Sequence, residues 1–144
     1  MLPPASGVPP VLELDELWSF VGSKAKPAWV WVALDRETRQ VVACCLGDRS
    51  EESCRYLWEQ VPEPWRVATC YTDFWEAYQA VIPAAQHEAS GKGSGQTAHV
   101  ERWNNTLRQR LGAFVRKTLS FSQCDWMHWC RLTLFLHRYH LSCL

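Results

Sequence analysis

Residues 11–47, VLELDELWSFVGSKAKPAWVWVALDRETRQVVACCLG, decide the fold, because they contain three apolar segments separated by short polar connections. Alternating apolar residues in the first segment, and β-branched and aromatic residues in the second and third, are typical of strands. The sequence predicts strands at 11–22, 28–34 and 40–47, with GSKAKP as a turn or loop. Since the links are short, the three strands should form an antiparallel meander.

After residue 47 the apolar spacing becomes that of helices alternating with short strands. A helix is indicated by the i, i+3, i+4, i+7 spacing from Cys54 to Val61, with Asp48 or Ser50 as its cap. The strand that follows, at 67–72, is reached through a helical crossover and should lie parallel to a neighbour. Further elements are predicted as a helix at 74–82, a strand at 85–89, a helix at 97–114 and a last helix at 123–141, capped by Ser122.

The predicted order of elements, βββ-α-β-α-β-α-α, indicates an α/β fold. Its mixed sheet, an antiparallel meander of three strands plus parallel strands, should be flanked by helices. Residues 1–11 form a Pro-rich leader or linker, and residues 12–144 are expected to be one folded domain.

Composition restricts the class of protein. With 144 residues, 47% of them hydrophobic and 21% charged, the chain is typical of a single globular domain and unlike a disordered or fibrous protein. No apolar run approaches the roughly 20 residues that a membrane-spanning helix needs. The N-terminus lacks the features of a secretory signal. We therefore expect a cytoplasmic protein with no membrane partner.

The seven cysteines are odd in number and match no disulfide scaffold, which favours reduced thiols that fill the core. A zinc site is the alternative, although the spacings contain no tight Cys-x(2–4)-Cys knuckle. Its candidate ligands cluster near the C-terminus: Cys124, Cys130, His137, His140 and Cys143.

Charge is distributed unevenly along the chain, although the formal net charge is zero. Residues 1–90 hold seven Lys/Arg and thirteen Asp/Glu, whereas residues 91–144 hold eight Lys/Arg and two Asp/Glu. A basic segment with interleaved aromatic residues is suited to a polyanion, but a solvated helix face explains the charge equally well. The candidate nucleic-acid contacts are Lys92, Arg102, Arg108, Arg110, Arg116 and Lys117.

Three acidic residues occupy positions from which their carboxylates can meet. Asp15 lies inside the first apolar strand, where an ionised carboxylate is costly unless it is paired or binds a metal. Asp73 follows the predicted parallel strand, at the edge where α/β sheets usually bind ligands. Glu101 lies near the start of a helix that follows a glycine-serine loop. If the strands of Asp15 and Asp73 are adjacent, the three carboxylates can hold Mg²⁺ or Mn²⁺.

Each acid also has an ordinary explanation when it is taken alone. Asp15 could keep an edge strand soluble, Asp73 could cap a helix, and Glu101 could interact with a helix dipole. Together their placement forms a ribonuclease H-like pattern. Asp35 and Glu76 are the reserve candidates, although the first is more simply a turn residue and the second a helix-surface acid.

The helix that follows Glu101 extends this pattern. At 3.6 residues per turn, Glu101, Asn105 and Arg108 share one face, while apolar residues occupy another. A carboxylate followed by an amide and a guanidinium suits a metal ligand next to phosphate contacts. An exposed polar helix face is the simpler interpretation of the spacing alone.

Three segments of the chain resemble the DDE transposase of the IS-one insertion-sequence family. They are LDELWSFVG at 14–22, YTDFWEAY at 71–78 and HVERWNNTLRQRLGAFVRKTLSFS at 99–122, the last being the most specific. The resemblance runs from about Leu12 to the C-terminus.

The resemblance implies a ribonuclease H-like catalytic domain that cuts and joins DNA strands. Its metal-binding acid triad falls on Asp15, Asp73 and Glu101, which would use two Mg²⁺ or Mn²⁺ ions, and Asn105, Arg108 and Arg110 continue the helix of Glu101. Double-stranded DNA, as element ends and target, is the implied partner. A homo-oligomer of at least two copies and association with the nucleoid are also expected.

Complete enzymes of this family also carry an upstream DNA-binding region with a zinc-binding element and a helix-turn-helix. Residues before Leu12 are too few to form one, so we expect the catalytic half of such an enzyme. Two other functions remain open. One is a ribonuclease H-like nuclease or resolvase that needs the same acids, and the other is a truncated relic or inhibitor that binds DNA without catalysis.

Overall fold

The predicted antiparallel meander is formed by β1 (Val11–Val21), β2 (Ser23–Asp35) and β3 (Val41–Gly47). This computed structural model describes residues 2–4, 7–91, 93–115 and 120–143. Strands β4 (Thr69–Thr72) and β5 (His87–Ala89) add parallel pairs, which gives the sheet order β3-β2-β1-β4-β5. The five-stranded mixed sheet confirms the α/β, ribonuclease H-like fold expected from the sequence.

The prediction of a turn or loop over the whole of GSKAKP was wrong, because only Gly22 connects the two strands. Strand β2 begins at Ser23, so only Gly22 separates it from β1, and the register shifts between Phe20 and Val21. Gly22 has a φ of +73°, a conformation that residues with a Cβ rarely adopt. Residues 23–27 are exposed on both sides, so their polar composition hid a strand that extends beyond the core.

Within the described residues, four α-helices flank the sheet: α1 (Glu51–Gln60), α2 (Glu76–Val81), α3 (Ala98–Arg110) and α4 (Asp125–Ser142). Ser50 caps α1 as predicted, its side chain accepting the N–H of Ser53. The helix predicted at 97–114 stops at Arg110, because a 3-10 turn follows at Gly112–Phe114.

Alternate residues of the central strands face two separate cores. One face, which includes Leu12, Leu14 and Trp31, packs against α1 and α2. The other face, which includes Leu17 and Val32, packs against α3 and α4. Four of the seven cysteines, Cys44, Cys45, Cys54 and Cys70, are buried and fill the core as interpreted, whereas Cys124 is exposed and two others are half-buried.

A buried histidine attaches α4 to the end of β1. The His128 ring bonds through Nε2 to Ser19 Oγ at 2.9 Å and through Nδ1 to Ser122 Oγ at 2.8 Å. It also stacks on Phe114, with 4.2 Å between the ring centroids. Ser122 was predicted to cap α4, but its side chain is buried in this network, and Cys124 occupies the N-cap without a side-chain bond.

A carboxylate from β1 caps the N-terminus of α3. Glu13 is fully buried, and its Oε1 accepts the backbone N–H groups of His99 at 2.9 Å and Val100 at 3.2 Å. Its Oε2 is bonded to Nδ1 of His99 at 2.7 Å and accepts from Nε of Arg36 at 2.8 Å. Glu13 therefore satisfies backbone donors that the first turn of a helix leaves unpaired.

Two neighbouring residues complete this attachment. Arg36 also donates to the backbone carbonyl of Gln96 at 2.6 Å, so it fastens the segment that precedes α3. Thr97, predicted as the cap of α3, sits at the N-cap position but makes no capping bond. Its hydroxyl donates to Oε1 of Glu101 instead, at 3.2 Å.

No helix in the described part of the chain has both the length and the apolar character needed to cross a membrane.

The buried histidine should make the protein acid-sensitive. Burial, and secondarily the charge of Arg131, lower the pKa of His128 from 6.5 to about 4. Between these values the unfolded state binds a proton that the folded state does not, so stability falls as the pH drops through this window. The slope is at most about 1.4 kcal/mol per pH unit.

Urea denaturation of the wild type and of His128→Gln, measured from pH 8 to pH 4, tests this expectation. The wild type should be the more stable at neutral pH, and its advantage should shrink below pH 6.5. The exposed residue His137 supplies the control, His137→Gln. An advantage that does not change with pH contradicts the role assigned to His128.

Removing the charge of Glu13 should weaken the attachment of α3. Glu13→Gln keeps one carbonyl acceptor but leaves Arg36 without its buried anionic partner, and breaking a buried ion pair typically costs about 3 kcal/mol. Chemical denaturation should show this loss, and amide hydrogen exchange should quicken in the first turn of α3. Thr97→Ala is the control and should have a much smaller effect. Equal effects of the two variants would show that Glu13 is not the cap.

Candidate functional site

Two of the three predicted acids meet where β1 and β4 separate. These strands are adjacent and parallel, and their last paired residues are Glu13 and Tyr71. Asp15 lies two residues further along β1, and Asp73 directly follows the end of β4. Carboxylate oxygens of Asp15, Asp73 and the neighbouring residue Glu16 lie within 4.8 Å of one another.

Glu101 lies in the wall of the same cavity. The cavity has a volume of about 300 Å³, and α3 contributes Glu101 from its first turn. The cavity-lining residues are Asp15, Glu16, Leu17, Trp18, Trp29, Arg49, Asp73, Glu101, Asn104, Asn105 and Arg108. The structure thus places all three predicted acids around one cavity, with Asp15 and Asp73 in the closely spaced group.

Asn104 is a contact that sequence reasoning missed. Its Nδ2 donates to Oδ2 of Asp15 at 2.9 Å, so α3 orients the carboxylate of β1 directly. The helical pattern indicated its neighbour Asn105, which also lines the cavity but is exposed. Helical spacing could have indicated Asn104 as well, because Asn104 and Asn105, at i+3 and i+4, both share a face with Glu101.

Glu16 is the second missed residue. It is buried, its Oε2 accepts the hydroxyl of Tyr78 at 2.5 Å, and its Oε1 accepts Arg49 Nη2 at 2.9 Å and Nε at 3.1 Å. Burial is the main cause that raises the pKa of Glu16, and the charge of Asp73 raises it further, while the bonds from Tyr78 and Arg49 oppose the shift. The sequence signal was the pair of adjacent acids, Asp15 and Glu16, within an apolar strand. Because successive side chains of a strand point to opposite faces, one of the two acids had to face each core.

Arg49 lies in the segment between β3 and α1. Its guanidinium lies 4.1 Å from the ring centroid of Trp75 and 4.9 Å from that of Trp29. No sequence pattern indicated this residue, because the two tryptophans that hold it come from separate parts of the chain.

The predicted basic contacts are spread over several surfaces. Arg108 lines the acidic cavity, whereas Arg102 lines a smaller cavity beside Tyr139 and Arg110 lines a groove between α3 and α4. The other three predicted contacts, Lys92, Arg116 and Lys117, lie outside the described residues.

The reserve acids lie elsewhere. Asp35 is buried at the end of β2, where it accepts the indole N–H of Trp65 at 2.8 Å. Glu76 begins α2 and does not line the cavity.

The C-terminal cysteines and histidines do not assemble into a metal-binding group. Within the described ranges, Asp15, Glu16 and Asp73 form the one group of three or more potential ligands. His140 accepts the backbone N–H of Val41 through Nε2 at 3.2 Å. The described residues therefore give no support to the zinc alternative.

The acid group is suited to hard divalent cations. Mg²⁺ and Mn²⁺ are bound by carboxylate oxygens and typically retain several waters, so a partly open cavity with clustered carboxylates fits their coordination. Amide and guanidinium groups from α3 border the same cavity and can bind phosphate oxygens. The arrangement can therefore bring a phosphodiester next to bound metal ions.

Comparisons with known proteins identify the relatives of this chain. The family profile of IS1 transposase matches residues 10–142. The insertion element iso-IS1n protein InsB of Shigella dysenteriae is 38% identical over 118 residues, 82% of this chain and 87% of that protein. The insertion element IS1 4 protein InsB of Escherichia coli K12 is 34% identical over 125 residues, 87% of this chain and 72% of that protein. This agreement over nearly the whole fold confirms the resemblance, and the chain belongs to the IS1 transposase family.

Proposed function

We propose that this chain is a divalent-metal-dependent catalytic domain that cleaves DNA strands and joins them to target DNA during transposition. The observation that carries the proposal is the convergence of Asp15 and Asp73 from adjacent strands, with Glu101 in the wall of the same cavity. Family membership supports DNA processing in general, and the acid geometry supplies the reason for metal dependence.

The residues present fit two Mg²⁺ or Mn²⁺ ions, which Asp15, Asp73 and Glu101 would hold. When bound there, the ions would supply activation of a water or hydroxyl nucleophile and stabilisation of the leaving oxygen of a phosphodiester. The neighbouring acid Glu16 has both oxygens engaged by Tyr78 and Arg49, so we assign the metal-binding role to the other three.

The chain's own side chains orient these ligands. Asn104 fixes the carboxylate of Asp15, and Thr97 donates to Glu101. Asn105 and Arg108 lie on the same face of α3 and would hold phosphate oxygens of the substrate. The helix thus carries both a metal ligand and the groups that position DNA.

Double-stranded DNA, as element ends and target, is the proposed partner. Lys92, Arg102, Arg110, Arg116 and Lys117 would extend the basic surface beyond the cavity. Because transposition acts on both ends of one element, we also propose that at least two copies of the chain act together, in the cytoplasm at the nucleoid.

Loss of any acid of the triad should abolish catalysis. Asp15→Asn, Asp73→Asn and Glu101→Gln keep the side-chain shape but remove the charge that cations require. Transposition is measured from a donor plasmid that carries the native gene with its flanking DNA. The transposition activity of all three variants should fall below detection, although the proteins remain folded. Glu76→Gln, a substitution outside the cavity, should retain wild-type activity.

The products of this assay also separate the alternative functions. Cleaved DNA without joined target would indicate a nuclease or resolvase, and DNA binding without cleavage would indicate a relic or inhibitor. If one variant transposes as well as the wild type, that residue is not a metal ligand.

Metal binding should be detectable without any DNA. A ligand at 100 times its Kd stabilises a folded protein by about 2.7 kcal/mol, so Mg²⁺ or Mn²⁺ should raise the Tm of the wild type. In Asp15→Asn and Asp73→Asn the rise should be largely lost. Glu76→Gln is again the control. An equal rise in all proteins would place the cations elsewhere on the surface.

A further inference from the structure

Arg49 borders the acidic cavity from the side opposite α3. Along β1, Asp15 and Leu17 face α3, whereas Leu14 and Glu16 face the core formed with α1 and α2. Arg49 binds Glu16 and therefore lies on the second side, while Arg108 reaches the cavity from α3. The carboxylates thus lie between two arginines.

The guanidinium of Arg49 is held in one orientation. Its Nε and Nη2 both donate to Oε1 of Glu16, and indole rings of Trp29 and Trp75 lie close to it. Stacking on aromatic faces and a forked bond to a carboxylate together restrict a side chain that is otherwise flexible. Binding of a ligand to Arg49 therefore costs little conformational entropy of the arginine side chain.

Donor capacity remains after these bonds are made. A guanidinium has five N–H donors, of which Glu16 engages two. The side chain of Arg49 is 40% exposed, and it lines the cavity. Unlike Glu16, it is accessible to a ligand that enters.

We propose that Arg49 is a phosphate-binding residue, contacting a non-bridging oxygen of the DNA backbone on the side of the cavity opposite Arg108. This inference rests on the proposed function and deepens it: a strand that enters the cavity is held from both sides of the carboxylates. Glu16, Trp29 and Trp75 serve to position the guanidinium.

If Arg49 had a purely structural role and only neutralised Glu16, its removal would not change DNA binding once the carboxylate of Glu16 was also absent. The deciding comparison is therefore between Glu16→Gln and the double variant Glu16→Gln/Arg49→Gln, because neither retains the buried carboxylate. Binding of the full chain to duplex oligonucleotides of unrelated sequence is measured over a range of salt concentrations, with Ca²⁺ in place of Mg²⁺. The control is Arg55→Gln, since Arg55 lies on the exposed side of α1 and pairs with Glu51.

Removal of Arg49 should lower affinity several-fold for all sequences alike. It should also reduce the slope of log K against log salt by about one, as the loss of one phosphate contact does. Arg55→Gln should leave both unchanged. The Tm of each variant is measured in parallel, so that a folding defect is seen separately from a change in slope.

The outcomes separate this inference from the proposed function. If the wild type shows no salt-dependent DNA binding, the proposed function fails. If it binds DNA and the double variant has the same slope as Glu16→Gln, Arg49 has only the structural role and the inference is overturned.

Discussion

Glu13 joins the two parts of the molecule that must be aligned for the candidate site to exist. Its buried carboxylate belongs to the strand of Asp15, and it accepts two backbone N–H groups in the first turn of the helix that carries Glu101. The bond between Asn104 and Asp15 repeats the connection one turn further along. Strand and helix therefore behave as one unit, and the position of Glu101 follows from that of β1.

The same strand carries three acids because each has a separate environment. Glu13 is paired with Arg36 and accepts N–H groups from a helix N-terminus, and Glu16 is paired with Arg49 and accepts the hydroxyl of Tyr78. Asp15 lies between them at the open edge that β1 leaves where β4 ends. Burial of charge is tolerated in this strand because partners from four other segments converge on it, which leaves one carboxylate beside Asp73.

Sequence patterns were sufficient where a single segment determines the outcome. The meander followed from apolar spacing, and so did a fourth strand parallel to a neighbour. That this neighbour is β1, which brings Asp15 beside Asp73, was only a condition of the sequence argument and is given by the fold. The patterns failed where distant segments meet. Thr97 and Ser122 are residue types that commonly cap helices. The buried carboxylate of Glu13 caps α3 instead, and the hydroxyl of Ser122 bonds to the buried ring of His128. Arg49 depends on two tryptophans brought together only by the fold.

The loop between β5 and α3 is fixed at both of its ends. Ser90 N–H donates to the carbonyl of Thr72, and Arg36 holds Gln96. A longer or shorter loop would leave these anchor points in place, and loop-closure entropy changes only slowly with length. A change in the number of loop residues between Asp73 and Glu101 should therefore leave the distance across the cavity the same.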